Sequence, residues 1–414
     1  RVTVISADGS RATYGPVGGR ELTVRLHDKR VAFDIARNPK LAFAEAYIDG
    51  RLTIEDGDIL QLFEMALADN RWENGGGGRT ALNAGTSLLK PLLRRVLRPL
   101  WRRNSPLKSK ANVAHHYDLS ARLYDLFLDS DRQYSCAYFT DPANSLEQAQ
   151  ADKKAHIGAK LHLQPGQTVL DIGCGWGGLA IYLHQVAKVD VLGITLSQEQ
   201  LAVARRRAEE AGVADHVRFE LIDYRQLQGQ FDRIVSVGMF EHVGAVHFDD
   251  FFAACRRLLK RDGVMLLHTI GRMGSTSGAA DPFTDKYIFP GYHIPSLSQM
   301  SAASEKARLI ASDVEMLRLH YAYTLRHWLQ RVRDNRAKIE AMYDARFFRM
   351  WEFYLAGAIV MFEHGTGCNY QVQYIRDRRT LPITRGYVAQ AETRYGAATS
   401  KPVRAPARKK VTPA

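Results

Sequence analysis

The stretch Val169-Leu-Asp-Ile-Gly-Cys-Gly-Trp-Gly-Gly178 constrains the fold of this chain more than any other. A β-branched and apolar run ends in an acidic residue and a glycine-dense turn. Apolar residues then recur in Leu179, Ile181 and Leu183. The pattern predicts a strand, a ligand-binding turn and a helix. Gly173, Gly175 and Gly177 lack a Cβ, so the backbone can turn sharply and admit a ligand closely. Such turns serve dinucleotides or S-adenosylmethionine, and glycines alone do not choose between them.

From Pro165 onward strands and helices alternate, which predicts a doubly wound α/β unit with a parallel sheet covered on both faces. Strands are expected at 168–172, 189–194, 217–222, 233–237 and 263–268, with helices after Gly177 and across 198–211 and 248–259. Residues 272–300, with Pro282, Pro290 and Pro295, read as a long irregular loop or lid. Helices are expected at 315–329 and 347–361, and a closing strand at 370–375. Ahead of this unit, residues 1–74 read as a small α+β domain. Val2–Ile5 and Leu22–Leu26 alternate as strands of a hairpin with a turn at Asp8-Gly9, followed by helices at 41–48 and 59–67.

The formal charge of +13 sits in two places: residues 88–110 carry eight basic residues and no acid, and residues 401–414 carry five and no acid. The first cluster follows the linker Asn74-Gly-Gly-Gly-Gly78 and interleaves an apolar stripe from Leu89 to Trp101. That is the pattern of an amphipathic helix on an anionic membrane or, equally, of an interdomain helix with solvated arginines. Residues 75–111 are therefore read as flexible linker and basic helix, and 396–414 as a basic, disordered tail. Apolar runs fall short of the ~20 residues a spanning helix needs. Cys136, Cys174, Cys255 and Cys368 form no C-x-x-C pair, which predicts a reduced, cytosolic protein without a structural metal.

The tip of the second strand, Gly193-Ile-Thr-Leu-Ser-Gln-Glu-Gln200, carries no acid where a dinucleotide ribose would need one. Thr195, Ser197 and Gln200 offer neutral hydrogen bonds instead. Asp171 at the first tip suits a cationic ligand end or a helix cap, and Asp223-Tyr224 at the third suits an adenine edge or a turn. The fourth strand runs into Ser236-Val-Gly-Met-Phe-Glu-His-Val-Gly244, placing Glu241 and His242 where open α/β sheets bind ligands. A charged Glu in so apolar a setting is costly unless paired. His268 at the tip of the fifth strand faces the same crevice.

These residues, with His116-Tyr-Asp-Leu119, Tyr134-Ser-Cys-Ala-Tyr138, Leu266-Leu-His-Thr-Ile270 and Lys286-Tyr-Ile-Phe-Pro290, resemble the bacterial cyclopropane-fatty-acyl-phospholipid synthases. The likeness runs from about residue 112 to 376, and Glu45-Ala-Tyr-Ile-Asp-Gly50 resembles the N-terminal domain of the phospholipid-acting members. It implies a doubly wound, mostly parallel, Rossmann-like class I methyltransferase sheet over residues 112–395, with a small N-terminal α+β domain of lipid-binding type. It also implies transfer of a methylene group from S-adenosylmethionine to a cis double bond of an unsaturated phospholipid acyl chain.

By the same resemblance, Tyr134, Ser135, Asp171, Gly173, Cys174, Gly175, Gly177, Thr195, Ser197, Gln200, Asp223 and Tyr224 would bind the methyl donor. Cys136, Glu241, His268, the backbone of Ile270, and Tyr321 would hold a bicarbonate ion, the general base. Tyr321, Phe240 and Tyr287 are candidates to stabilise a carbocation through their ring faces. One departure is visible: where the family commonly has a Cys in a Tyr-Leu-x-x-Cys motif, Tyr354-Leu-Ala-Gly-Ala358 has Ala358. The expected partner is unsaturated phospholipid at the anionic inner face of the cell membrane, met peripherally from the cytoplasm; a homodimer is also compatible with the chain. Three alternatives stay open. One is a sibling enzyme making methyl-branched, methylene or furan-precursor chains, and another is a non-catalytic lipid binder. The third is a nucleic-acid methyltransferase, which the absence of an Asn/Asp-Pro-Pro-Tyr/Phe motif opposes, so no nucleic-acid partner is expected.

Overall fold

A computed structural model describes residues 1–16, 18, 20–67, 70–75, 121–274 and 281–399. The basic helix, almost all of the linker, the His116-Tyr-Asp-Leu119 motif and the tail beyond 399 lie outside the described residues.

The N-terminal unit comprises β1 (Val2–Ile5), β2 (Arg11–Tyr14), β3 (Leu22–Leu26), α1 (Arg30–Arg37), α2 (Pro39–Ile48), β4 (Leu52–Ile54) and α3 (Ile59–Leu67). Its sheet order is β2-β1-β3-β4. The expected hairpin forms, but with a different partner: across Asp8-Gly9 the antiparallel neighbour of β1 is β2, while β3 pairs parallel to β1. Strand β2 gave no signal because all four of its residues are exposed and none has an apolar face to pattern.

Then follow α4 (Ala121–Phe127), α5 (Leu146–Lys160), β5 (Thr168–Ile172), α6 (Gly178–Ala187), β6 (Asp190–Thr195), α7 (Gln198–Glu210) and β7 (Val217–Leu221). Next come β8 (Phe231–Val237), α8 (Phe248–Leu258), β9 (Leu259–Arg272), α9 (Pro282–Tyr287), α10 (Leu297–Lys306), β10 (Ile310–Met316) and α11 (His320–Asp334). The chain closes with α12 (Arg336–Met342), α13 (Ala345–Glu363), β11 (Gly367–Ile375) and α14 (Gly386–Thr399). The seven strands lie in the order β10-β11-β9-β8-β5-β6-β7. Pairings from β7 to β9 are parallel, and only β11 runs against its neighbours. Helices cover both faces of β5, so its successive residues Val169 and Leu170, which point to opposite faces, are both fully buried.

Three expectations change. Residues 310–316 form a strand on the sheet edge, so the helix expected from 315 begins at His320. The region read as irregular contains α9 and part of α10, the latter started by a capping box between Ser296 and Gln299. Helix α14 runs through Thr399, past the boundary expected for the tail.

The N-terminal unit is joined to the larger one through α13. Phe353 packs against Phe43 and edge-on to Phe63 at 5.2 Å. Around this apolar contact Tyr47 Oη donates to Glu352 Oε2 at 2.8 Å, Arg346 pairs with Asp49 at 2.7 Å, and Arg326 pairs with Glu64 at 2.7 Å. One hydrophobic cluster runs through both units, beside two further clusters on the faces of the large sheet.

Candidate active site

The strand order reverses between β5 and β8, the topological switch point at which open α/β sheets bind ligands. The turn after β5 opens there. Gly173 and Cys174 both donate backbone N–H groups to the carbonyl of Ile194, which seats the turn on β6. Gly173 has φ +84°, and a Cβ there would lie 2.9 Å from Met239 Cβ on the opposite lip. Gly177 has φ +82°, and its missing Cβ lets α6 approach β7 and α7, where Phe219 Cζ and Ala204 Cβ stand 2.8 and 2.9 Å from the vacant position. The first glycine thus keeps the cleft open, while the second packs the helix; Gly177 does not line the cleft.

Asp171 lies at the floor of this cleft, 1 % exposed, and its Oδ2 is buried without a hydrogen-bond partner. Burial pushes its carboxyl up to about 7, against the opposing charge of Lys153. An orphaned buried acid beside an open backbone turn fits the cationic end of a ligand.

At the tip of β6, Thr195 Oγ1 donates to Gln200 Oε1 at 2.9 Å, so the Gln200 side chain is set by the strand end, and both residues line the cleft. Ser197 does not line it: its hydroxyl caps α7 by accepting from Gln200 N. At the tip of β7, Asp223 and Tyr224 line the cleft, and Asp223 is gripped by Arg225 through Nε at 2.9 Å and Nη2 at 2.5 Å. Burial opposes ionisation of Asp223, yet this guanidinium outweighs it and holds the carboxyl below the usual range. Tyr134, Ser135, Cys174 and Gly175 complete the expected set that reaches the cleft, joined by Met239, His242 and Arg225. Burial pulls His242 down to about 4, so it is neutral there.

The five residues of the expected anion site lie off this lining. Glu241, on a single 3₁₀ turn after β8, accepts from the backbone N–H of Ile270 at 2.5 Å, and its Oε2 is buried without a partner. Burial raises its carboxyl to about 7, outweighing its own backbone N–H and that of Ile270. His268 sits on β9 with Nε2 at 2.8 Å from the Asn369 amide and Nδ1 at 3.1 Å from the Gln371 amide, both on β11. Burial drives its pKa well down, so the ring is neutral with one N–H, and one of the two amides must present oxygen to it. Cys136 donates its thiol to the Ala137 carbonyl at 3.3 Å. Tyr321 packs edge-on to Trp328 at 5.8 Å, and Trp328 stacks on Tyr134 at 5.2 Å. The structure therefore joins Glu241 to Ile270 and Tyr321 to the donor-side Tyr134, while Cys136 and His268 have other hydrogen-bond partners.

Two of the three aromatic candidates face elsewhere. Phe240 stacks on Phe248 at 4.4 Å and is fully buried among Phe251 and Phe252, because the 3₁₀ turn sends its ring into the core beneath α8. Tyr287 Oη donates to Glu45 at 2.9 Å, at the seam with the N-terminal unit. The aromatic wall near the cleft is Tyr134, Trp328, Tyr321 and Tyr354, with Phe289 6.0 Å from Tyr354.

Among the described residues one group has three metal-type ligands together, His184, Asp190 and His216, at the opposite end of the sheet. The two rings lie 4.7 Å apart and 16° from parallel, so their in-plane lone pairs do not converge on one ion. His184 Nδ1 bonds the Val189 carbonyl and His216 Nδ1 bonds Asp190, so one nitrogen of each ring is already engaged within the protein.

A seven-stranded doubly wound sheet, a glycine turn at its switch point, and a cleft with a neutral tip on β6 and one orphaned acid define an S-adenosylmethionine-dependent methyltransferase. Residues 104–372 match the family described as mycolic acid cyclopropane synthetase, and residues 1–72 match a domain of unknown function. The chain is 42 % identical to a "Probable fatty acid methyltransferase" of Pseudomonas putida, over 91 % of this chain and 93 % of that one. It is 46 % identical to the cyclopropane-fatty-acyl-phospholipid synthase of Escherichia coli K12 over 58 % of this chain, an alignment spanning 61 % of that enzyme. The cyclopropane synthase MmaA2 of Mycobacterium tuberculosis superposes with a TM-score of 0.61 at 34 % identity, covering 64 % of this chain and 97 % of that one. Mycolic acid cyclopropane synthase CmaA1, in its complex with SAH and CTAB, gives the same TM-score, identity and coverage. The chain belongs to the mycolic acid cyclopropane synthetase family.

A pH dependence follows from Asp171. Its carboxyl is raised from 3.8 to about 7, so the folded protein keeps a proton that the unfolded chain releases. The stability this contributes is fully present below pH 3.8 and is lost as pH rises through about 7. A cationic donor favours the carboxylate, so binding expels the proton. Calorimetry in buffers of different ionisation enthalpy should find about one proton released per donor bound at roughly pH 6 and little at roughly pH 8, with affinity rising between them.

Proposed function

We propose that this protein transfers a methylene group from S-adenosylmethionine to a cis double bond of an unsaturated acyl chain in a membrane phospholipid, forming a cyclopropane ring. The observation that carries this reading is Glu241: a buried, near-neutral carboxyl with one oxygen on the Ile270 N–H and the other unpartnered, on the turn that also sends His242 into the donor cleft. Ring closure requires a proton to leave carbon, and a buried carboxyl with a free acceptor oxygen can hold the base that takes it.

When bound, S-adenosylmethionine supplies an electrophilic methyl group. Asp171 would meet its cationic end, Thr195 and Gln200 the neutral hydroxyls, and Asp223 and Tyr224 the adenine side. Bicarbonate held at Glu241, whose unpartnered Oε2 suits its single O–H, would supply the base; the resemblance also implies Tyr321, Cys136, His268 and Ile270, of which the last three would have to exchange their present hydrogen bonds to reach it. Around that point the chain's own side chains act by exclusion and orientation. Tyr134, Trp328, Tyr321 and Tyr354 wall off water, since an alkene is a poor nucleophile and its cation is quenched by a stray hydroxyl. Their ring faces stabilise positive charge on the acyl chain, and Glu241 holds the proton acceptor in place. The N-terminal unit and the basic segment at 88–110 are assigned to the anionic membrane surface on the cytoplasmic side.

Ala358 lies half-buried on α13, one helical turn after Tyr354. The scheme uses no covalent enzyme intermediate, so Ala358→Cys should change turnover by less than about threefold, as expected for a small swap on a half-buried helix face. A large gain from near-zero activity would contradict it.

One observation favours a sibling reaction. A relative that aligns with 91 % of the chain is named "Probable fatty acid methyltransferase". Loss of a different proton from the same cation would give a methylene or, after reduction, a methyl-branched chain. NMR of the purified lipid separates these from a cyclopropane.

A further inference from the structure

Helix α5 turns an unusual face inward: Gln150, Lys153, His156 and Lys160 follow one another at helical spacing and all are buried. Two of them reach the segment that enters the cleft. Gln150 Nε2 donates to the carbonyls of Gln133 at 3.2 Å and Ser135 at 3.0 Å. One turn on, Lys153 Nζ donates to Gln133 Oε1 at 2.7 Å and Ser135 Oγ at 2.8 Å. Residues 132–139 form neither helix nor strand, so no backbone ladder fixes them. Asp129 accepts from Gln133 N, and Thr324, Ala149 and His320 hold 137–139, while the side chains of Gln133 and Ser135 and both their carbonyls are held by four hydrogen bonds from α5. Gln133, Tyr134 and Ser135 line the same cleft as Asp171 and Gly173.

Packing does not account for the lysine. Its side chain is fully buried and both hydrogen-bond acceptors are neutral, an expensive place for an ammonium. A methionine would fill the same space at less cost. Burial pulls Lys153 down to about 8 while Asp129 holds it up, and its charge is felt by Asp171 across the cleft floor.

We propose that Lys153 is a positioning residue for the methyl donor: with Gln150 it fixes Gln133–Ser135 as one wall of the donor cleft. This rests on reading that cleft as the S-adenosylmethionine site. The test is a double-mutant cycle in the full-length protein, measuring S-adenosylmethionine Kd by calorimetry together with KM and kcat. Lys153→Met should raise Kd and KM at least about tenfold with kcat changed less than about threefold. Ser135→Ala should raise Kd by about three- to tenfold, and the double variant should bind no worse than Lys153→Met alone, because both remove one interaction. If Lys153→Met does not fold, Lys153→Gln takes its place in the cycle, and its double variant with Ser135→Ala should bind more tightly than the product of the two single losses predicts. Wild-type affinity in a folded Lys153 variant, or strictly multiplicative losses in the cycle, overturns the proposal. Failure of the wild-type protein itself to bind the donor would instead overturn the reading of the cleft.

Discussion

Glu241→Gln should lower transfer of labelled methyl groups into lipid by about 10²–10³-fold, the usual scale for removing a positioned acid–base group, and leave donor affinity within about threefold. The asymmetry comes from where the residue stands. Glu241 lies off the cleft lined by Asp171, Thr195 and Gln200, so the donor does not depend on it. The amide keeps the volume and an oxygen for the Ile270 N–H, but puts an NH₂ donor where the unpartnered Oε2 now offers an acceptor. A group oriented by that acceptor loses its orientation. Single-turnover incorporation, with calorimetry of donor binding on the same sample, separates the two effects. Equal loss of binding and turnover would place Glu241 in the donor site and remove it from the acid–base role.

Gly177→Val should destabilise the protein by about 3–5 kcal/mol, combining the strain of a β-branched residue at positive φ with overpacking. The vacant Cβ position at φ +82° is 2.8 Å from Phe219, 2.9 Å from Ala204 Cβ and 3.2 Å from Ala204 Cα. The last is backbone, so α7 itself would have to move. Chemical denaturation monitored by far-UV circular dichroism checks this through the midpoint. Gly175→Ala, where nothing lies within 4 Å, is the comparison: only the strain of φ +53° applies, and the loss should be about 1–2 kcal/mol. Equal losses at the two sites would show that close packing of α6 on its neighbours is not what the third glycine serves.

The contrast between these two glycines indicates what sequence can and cannot report. The turn, the neutral tip of β6 and the acid after β8 were legible because each is a local pattern: glycine spacing, a missing carboxylate, a Glu-His pair after an apolar strand. What each residue does there was not. Gly177 and Gly173 look alike in sequence, and one packs a helix while the other keeps a cleft open. Ser197 looks like a ligand residue and is a helix cap. Phe240 looks like part of the site, and its ring turns into the core. Asp223 looks like a free acid and is partnered by Arg225 only two residues on. Gln371 and Asn369, which hold His268, come from a strand about a hundred residues away, paired with β9 antiparallel, so nothing local announces them. The polar stripe of α5 did have a signal, Gln, Lys, His and Lys at helical spacing. It resembles a solvated face until the structure turns it inward.

The central claim is that a buried acid beside a methyl-donor cleft serves carbon chemistry on a membrane lipid. It is tested most directly by incubating the full-length protein with vesicles of monounsaturated anionic phospholipid and S-adenosylmethionine labelled with carbon-13 in the methyl group, then recording NMR spectra of the extracted lipid. The account predicts label in a cyclopropane methylene, at the shielded position characteristic of a three-membered ring, and loss of the vinyl signals in step with its appearance. Label confined to a headgroup nitrogen or oxygen, or absent from lipid altogether with the donor bound and intact, would contradict it.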